Sequence, residues 1–471
     1  MQDKTLNKII YKDSFLIFSI RLLSTLAMIL ISYYFSHQLS TADYGRYTNY
    51  WNRFYAFNAF AGLGIAAFIF TYSKERLTGL LRKVKRRHYF ILSGLMLSGS
   101  LAFALVQHHY AHSFTISLAF ILLNTLCIIA ESALIIFRKF KQILFINIGY
   151  LIVYLYLHFE QLSGAPFNAE QLFRSLCVLF AVKLLISLAF LRKDKQVPVD
   201  AEIEKEEANY QRLWLHLYIF DMTQILMVYV DKFVVSILLD ESTSAIYSNG
   251  STPIPLLPII FSAVSSASLM QFSRNKKNDV GVQLSIMNNL ARTLSNFAFP
   301  IFFFFLFFHY EFITSYFSNK YIPSIPIFVA SLFVIPLRML NYTIIFQKYE
   351  RGDIINTGVV LDVVATLLLV YPLYRLMGLP GIALSFVLGT YIQAGYYLYK
   401  MTVLLQRPLS AILPLKNLCL KFLLYGLLAF GLHEGLSPFA TPYISMLSTI
   451  LIFGLVIALV IRKEYKSSTI A

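Results

Sequence analysis

The chain has few of the residues that keep a protein in water. Only 14% of its 471 residues are charged, against about a quarter in soluble domains. Cysteine is scarce as well. Cys127, Cys177 and Cys419 each lie inside an apolar run, without metal-ligand spacing and without the makings of a disulfide framework. No stretch alternates polar and apolar residues as an outer-membrane barrel requires, which excludes that class. No small-residue cleavage site follows the first apolar run, and that run is too long for a signal-peptide core, so no cleavable signal is expected. The net charge of +16 is spread in step with the apolar runs and gathers in no single patch, which argues against nucleic acid as a partner.

Hydrophobic residues make up 58% of the chain, aromatics 16%, and the mean hydropathy is +0.64. Runs of about 20 apolar residues, long enough to cross the hydrocarbon core of a bilayer, recur along the whole sequence. They fall at 14–35, 47–71, 89–107, 113–136, 143–160, 170–191, 213–239, 245–270, 286–308, 323–346, 354–373, 378–399, 415–433 and 442–461. The expected fold is all-α, a polytopic membrane protein of about 14 transmembrane helices. An even number puts both termini on one side.

Lysine and arginine choose that side. With the N-terminus in the cytoplasm, the inner segments hold Lys4, Lys8, Lys12, the cluster from Lys74 to Arg87, Arg138, Lys139, Lys141, Arg192, Lys193 and Lys195. Further along they hold Arg274, Lys276, Lys277, Lys348, Arg351, Lys400, Arg407, Arg462, Lys463 and Lys466. The outer turns keep little beyond Arg46, Lys320 and Arg375. Those turns are short and leave no room for an outer catalytic domain. The longest hydrophilic piece, 192–212, carries Glu202, Glu204, Glu206 and Glu207 and reads as a cytoplasmic linker. Two amphipathic stretches, Gly281–Arg292 and Met401–Lys416, read as helices resting on the inner membrane surface.

The chain also repeats itself. Leu39–Asn49, LSTADYGRYTN, aligns with Leu239–Asn249, LDESTSAIYSN, at an offset of 200, matching Leu39 to Leu239, Tyr47 to Tyr247 and Asn49 to Asn249. Asn147-Ile-Gly149 is echoed by Asn356-Thr-Gly358, and Gly164-Ala-Pro166 by Gly378-Leu-Pro380. Weak internal symmetry of this kind marks secondary transporters. It divides the chain into an N-terminal lobe (1–191), the linker (192–212), a C-terminal lobe (213–400), and an amphipathic connector with two appended helices (401–471). The two six-helix lobes are expected to be pseudo-symmetric.

Several segments together resemble a known family. They are LSTADYGRY with the following AGLGIAAFIFTYSKE, DKFVVSILLDESTSAIYS, FSNKYIPSIPIFVASLFVIPLRMLN, and LDVVATLLLVYPLYRLMGLPGIALSFVLGTYI. They are similar to the Wzx-type polysaccharide and O-antigen flippases of the multidrug/oligosaccharidyl-lipid/polysaccharide exporter superfamily. That family carries an acidic turn followed by Tyr-Gly-x-Tyr, an Asp-Arg or Asp-Lys pair in its seventh helix, and an Asn-rich eleventh helix. Here Asp362 stands where Asn is common. The resemblance implies a flippase that carries undecaprenyl-diphosphate-linked oligosaccharide from the cytoplasmic to the outer leaflet of a bacterial plasma membrane. Two lobes would open alternately to either side, without covalent chemistry or a bound cofactor, and with H+ or Na+ as the coupling ion. Glycan polymerase and chain-length machinery are the implied protein partners.

Ionisable side chains within the spans are the candidate site, because each costs about 2.5–3.5 kcal/mol to insert. Arg21, Arg53, Lys183, Lys232 and Arg338 are candidates to line a wet path and neutralise a diphosphate, with guanidinium suited to bind phosphate oxygens in pairs. Asp231, Glu131 and Asp362 are candidate counter-ions or coupling groups, since an unpaired carboxyl in hydrocarbon favours its neutral form. Asp231 and Lys232 are adjacent and leave a helix about 100° apart, so they need not pair. Trp51 and Tyr55 are placed to stack on sugar rings. His108, His109 and His112 lack a completing acid or cysteine and read as a solvated loop rather than a zinc site. Basic residues outnumber acids within the spans, which favours an anionic cargo over the organic cations of drug antiporters. A peptidoglycan-precursor carrier, also with two appended helices, remains open. A membrane glycosyltransferase or polymerase needs an outer loop that this chain lacks.

Overall fold

The computed structural model describes residues 22–70, 77, 79, 84–137, 139–163, 166–192, 210–252, 254, 257, 261, 280–340, 343–349, 351–436 and 441–470. Among these residues there is helix and turn but no strand, and nine helices are long and apolar enough to cross a membrane. The protein is an all-α polytopic membrane protein, and each of the fourteen apolar runs overlaps a helix. In order these are α1 (22–38), α2 (Thr41–Ala61), α3 (Ile65–Phe70), α4 (Arg86–His109), α5 (Phe114–Ile136), α6 (Phe140–Glu160), α7 (Ala169–Arg192), α8 (Tyr210–Leu238) and α9 (Glu241–Ser251). The series continues with α10 (Val280–Phe307), α11 (His309–Tyr316), α12 (Ile325–Leu332), α13 (Thr343–Lys348), α14 (Gly352–Met377), α15 (Leu379–Leu405), α16 (Leu409–Ile412), α17 (Leu415–Leu436) and α18 (Pro442–Ile470). Arg21, Lys74, Arg76, the Gly164-Ala165 pair and most of the acidic linker lie outside the described residues.

The repeat at offset 200 is structural. Before α2, the Ser40 hydroxyl accepts a hydrogen bond from the Asp43 amide at 3.1 Å. Before α9, Asp240 Oδ1 accepts one from the Thr243 amide at 3.0 Å. Each cap serves amides that a helix start leaves without intrahelical partners. The two turns also touch. A Cβ on Gly45 would lie 1.9 Å from the Glu241 carbonyl oxygen, so only glycine admits this approach. Arg46 Nη2 bridges to Glu241 Oε2 at 3.3 Å.

Two compact units divide the chain at Ala245. In the first, Tyr50, Phe54, Phe103, Phe120, Phe173 and Phe180 form a fully buried aromatic core, with Tyr50 stacked on Phe173 at 3.5 Å. α8 packs against α2 and α3, so the first helix of the sequence's second half belongs by packing to the first unit. In the second unit, α14 and α15 form a tight hairpin about Gly378, whose φ of +66° suits glycine. Small residues bring its arms together: Gly381 leaves room for Leu373 O and Gly358 for the Tyr397 ring. Gly149, the sequence match to Gly358, faces open space, so that echo does not extend to packing.

Three expectations are corrected. The run 323–346 is not one helix but alternates 3-10 and α segments. Pro323, Pro326 and Pro336 withhold the amide hydrogens that a continuous ladder needs. Gly281–Arg292 is no surface helix. It is the first half of the continuous α10 and buries Gln283, Met287, Leu290 and Ala291. Met401–Lys416 is no single surface helix either: Gln406 at φ +50° ends α15, and Met401, Leu405 and Ile412 turn inward while Arg407, Pro408 and Lys416 stay exposed.

Candidate functional site

The structure brings the candidate cations and acids together in pairs. In the first unit α5, α6 and α7 meet around Glu131. Lys183 Nζ lies 3.1 Å from Glu131 Oε2, and Asn147 Nδ2 donates to Glu131 Oε1 at 3.1 Å. The same ammonium sits 4.5 Å from the centre of the Tyr150 ring. Lys183 and Glu131 were expected in separate roles, but they form one ion pair. On α8, Lys232 Nζ lies 3.4 Å from Asp231 Oδ1, with both side chains buried. These neighbours, which need not have paired, do so for a simple reason. The lysine stem is long enough to span the angle between them, and a charge removed from water is costly until it meets its opposite.

Arg53 is 3% exposed and turned into the junction of α2, α4 and α8. It donates to the Ser236 carbonyl, to Ser236 Oγ at 3.4 Å and to Gln107 Oε1 at 3.5 Å, and its guanidinium lies 3.4 Å over the Tyr110 ring. The Tyr110 hydroxyl donates to the Ile237 carbonyl at 3.2 Å. Together Arg53 and Tyr110 serve carbonyls that the last turn of α8 leaves open. In this conformation Arg53 is a brace.

In the second unit Asp362 is fully buried on α14. Its Oδ1 accepts a hydrogen bond from Thr366 Oγ1 at 3.3 Å, while Oδ2 has no hydrogen-bond partner among the described residues. A Cβ on Gly389 of α15 would come within 2.3 Å of Thr366 Oγ1 and 2.5 Å of Asp362 Oδ1, so glycine keeps this carboxylate pocket open. Arg338, in the 3-10 segment Ile335–Met339, is exposed and near enough to Asp362 to interact electrostatically. Arg21 lies outside the described residues.

In the turn after α4, His108 and His109 are exposed as a solvated loop predicts, and only His112 departs from that reading. His112 is 6% exposed, with its ring 5.0 Å from that of Tyr50 and 6.0 Å from that of Phe173. Burial lowers its pKa to about 4, and the positive charges of Arg53 and Arg46 push the same way. Among the described residues no group of three or more His, Cys, Asp and Glu could hold a metal ion.

No family model matches the sequence, and no curated protein matches it. Solved structures do. A lipid II flippase, MurJ, in an inward closed conformation superposes with a TM-score of 0.65 at 16% identity, over 98% of this chain and 100% of that one. An inward-facing MATE-family multidrug resistance transporter of the MOP superfamily superposes with a TM-score of 0.53 at 12% identity, over 83% of this chain and 95% of that one. The chain shares the fold of these two structures.

Within that fold, sequence reasoning missed a polar-aromatic face on α6. Asn147, Tyr150, Tyr154 and His158 recur every three or four residues, while Phe145, Ile152 and Tyr156 are exposed on the other side. His158 Nδ1 donates to the Tyr154 carbonyl at 2.7 Å, so in the neutral ring Nε2 accepts from the Tyr47 hydroxyl at 3.2 Å. The helical spacing of these residues in an otherwise apolar run was the available signal.

Proposed function

We propose that the protein is a flippase without covalent chemistry, moving an undecaprenyl-diphosphate-linked oligosaccharide from the cytoplasmic to the outer leaflet of a bacterial plasma membrane, with both termini in the cytoplasm. The observation that carries this reading is the pairing of charges inside the spans. Glu131 and Asp231 are already matched by Lys183 and Lys232. An exporter of organic cations needs unmatched carboxylates, and these two have none of their charge to spare. A diphosphate, by contrast, can replace a carboxylate as the partner of a lysine that the protein has already brought into the hydrocarbon. Protonation of the carboxylate would release the lysine to the cargo, which links movement of the head group to a proton gradient. Asp362, with one oxygen unpartnered and a threonine hydroxyl beside it, is the second coupling candidate and suits H+ or Na+. In this reading Arg338 is the basic candidate of the second unit for an anionic cargo. Arg53 holds α8 in place until the cycle moves it, and Arg21 supplies charge near the cytoplasmic entrance.

The test is a leaflet-access assay of lipid-linked sugars in a strain lacking the gene. Accumulation in the inner leaflet, reversed by the wild-type gene, supports the reading; an unchanged distribution overturns it. A second reading has its own support. The likeness to the MurJ structure runs over 98% of this chain and so takes in α17 and α18. On that reading the cargo is a peptidoglycan precursor, and the gene should then restore growth to cells depleted of their lipid II flippase.

A further inference from the structure

The first unit holds two sets of aromatic side chains that behave differently. Tyr50 and Phe54 of α2 are closed into the buried core with Phe103, Phe120, Phe173 and Phe180. One helical step away, Tyr47, Trp51 and Tyr55 form a stripe at intervals of four, and Trp51 and Tyr55 are half-buried. Trp51 stacks on Tyr55 at 5.7 Å, and Tyr55 stacks on Tyr229 of α8 at 4.7 Å. Across from them, Tyr150 and Tyr154 of α6 stack at 5.3 Å. The hydroxyls of Tyr55, Tyr150 and Tyr154 lie near enough to interact electrostatically. Tyr55, Tyr150, Tyr154 and Tyr229 are each half-buried. Gathered from α2, α6 and α8, their rings form one aromatic cluster that is not closed off.

The hydroxyls of Tyr55, Tyr150 and Tyr229 make no hydrogen bond among the described residues. A tyrosine in a packed core normally satisfies its hydroxyl. Three that do not, in one cluster, leave donors and acceptors for a guest. Beside the cluster stand the Lys183 ammonium, over the Tyr150 ring, and its partner Glu131. Flat aromatic faces suit the C–H face of a pyranose ring, and phenol hydroxyls suit its equatorial rim. Pockets that combine apolar walls with a few convergent polar groups are the usual form of a small-molecule site.

We propose that Trp51, Tyr55 and Tyr229, faced by Tyr150 and Tyr154, form a platform that takes one sugar ring of the cargo's oligosaccharide within the first unit. This rests on the flippase reading and adds to it a saccharide subsite separate from any diphosphate contact.

The chain has two tryptophans, so a Trp214→Phe variant leaves Trp51 as the sole indole reporter. The full-length variant in nanodiscs is titrated with two probes. One is the polyprenyl-diphosphate-linked saccharide pool extracted from cells lacking the gene; the other is undecaprenyl diphosphate without sugar. Should Trp214→Phe fail to fold, the same signal is taken as the difference between the wild type and Trp51→Phe. The expected result is a Trp51 emission change with the saccharide lipid alone. Tyr55→Ala and Tyr229→Ala should each weaken its binding by about five- to tenfold, the scale of one lost aromatic contact. Tyr55→Phe should retain most of the stacking. Equal responses to both lipids, or affinities unmoved by Tyr55→Ala and Tyr229→Ala, overturn the platform and leave the flippase reading standing. Binding of neither lipid overturns both.

Discussion

Removing one partner of the Lys183–Glu131 pair should do more harm than removing both. Lys183→Met keeps the length and apolar stem of the side chain and deletes the charge. Glu131 is then left with the single hydrogen bond from Asn147 Nδ2 at 3.1 Å. Breaking a fully buried pair costs about 3–5 kcal/mol. These side chains are 13% and 27% exposed, so some solvation survives, and a figure of about 2–3 kcal/mol is the reasonable scale. That corresponds to a roughly 30- to 150-fold shift in the folding equilibrium. Glu131→Gln in the same background removes the stranded charge and keeps an acceptor for Asn147. The double variant should recover most of the stability. The assay is thermal unfolding of the full chain in nanodiscs, read beside leaflet access of lipid-linked sugars in cells. On the functional reading, stability returns in the double variant while export does not, because the lysine is still missing. The reasoning fails if Lys183→Met alone leaves stability unchanged, or if the double variant is no more stable than the single.

Three further outcomes are expected. Gly45→Ala places a Cβ 1.9 Å from a backbone oxygen that cannot step aside, so the protein should lose about 1–3 kcal/mol; Gly149→Ala, facing open space, should be neutral in the same unfolding measurement. Gly389→Ala intrudes on Thr366 and Asp362 and should impair export with the protein still inserted, whereas Gly395→Ala, with nothing within 4 Å, should not. His112 has a pKa near 4 when folded, below the ordinary value of 6.5, so the unfolded chain binds more protons between those limits. Its contribution to stability is complete above about pH 6.5 and is lost as pH falls toward 4; His112→Asn should flatten that part of the stability profile, and an unchanged slope would refute the assignment.

Much of the fold was legible because its signals are local. Most apolar runs overlap one helix each, with 47–71 and 323–346 broken into shorter segments, and the duplicated turn carries a similar cap at Ser40 and Asp240. Legibility ended where a helix's fate depended on its neighbours. The amphipathic pattern of Gly281–Arg292 suits a membrane surface as well as a buried helix face, and only packing selected the latter. The candidate ionisable residues were visible one by one as costly exceptions in hydrocarbon. Their partners were not, since Glu131 and Lys183 are 52 positions apart and Arg53 and Ser236 are 183 apart.

By itself the order of residues determined that this chain lives in a bilayer, roughly where most of its helices lie, and which side chains are too polar for their surroundings. Those properties follow from hydropathy and from caps, which act over a few neighbouring residues. The tertiary structure alone decided that Lys183 answers Glu131, that Lys232 answers Asp231, that Arg53 is committed to the end of α8, and that Tyr50 and Phe54 are closed into the core while Trp51 and Tyr55 stay half-buried. Such choices depend on the depth and rotation of separate helices against one another, and no stretch of sequence holds that information alone.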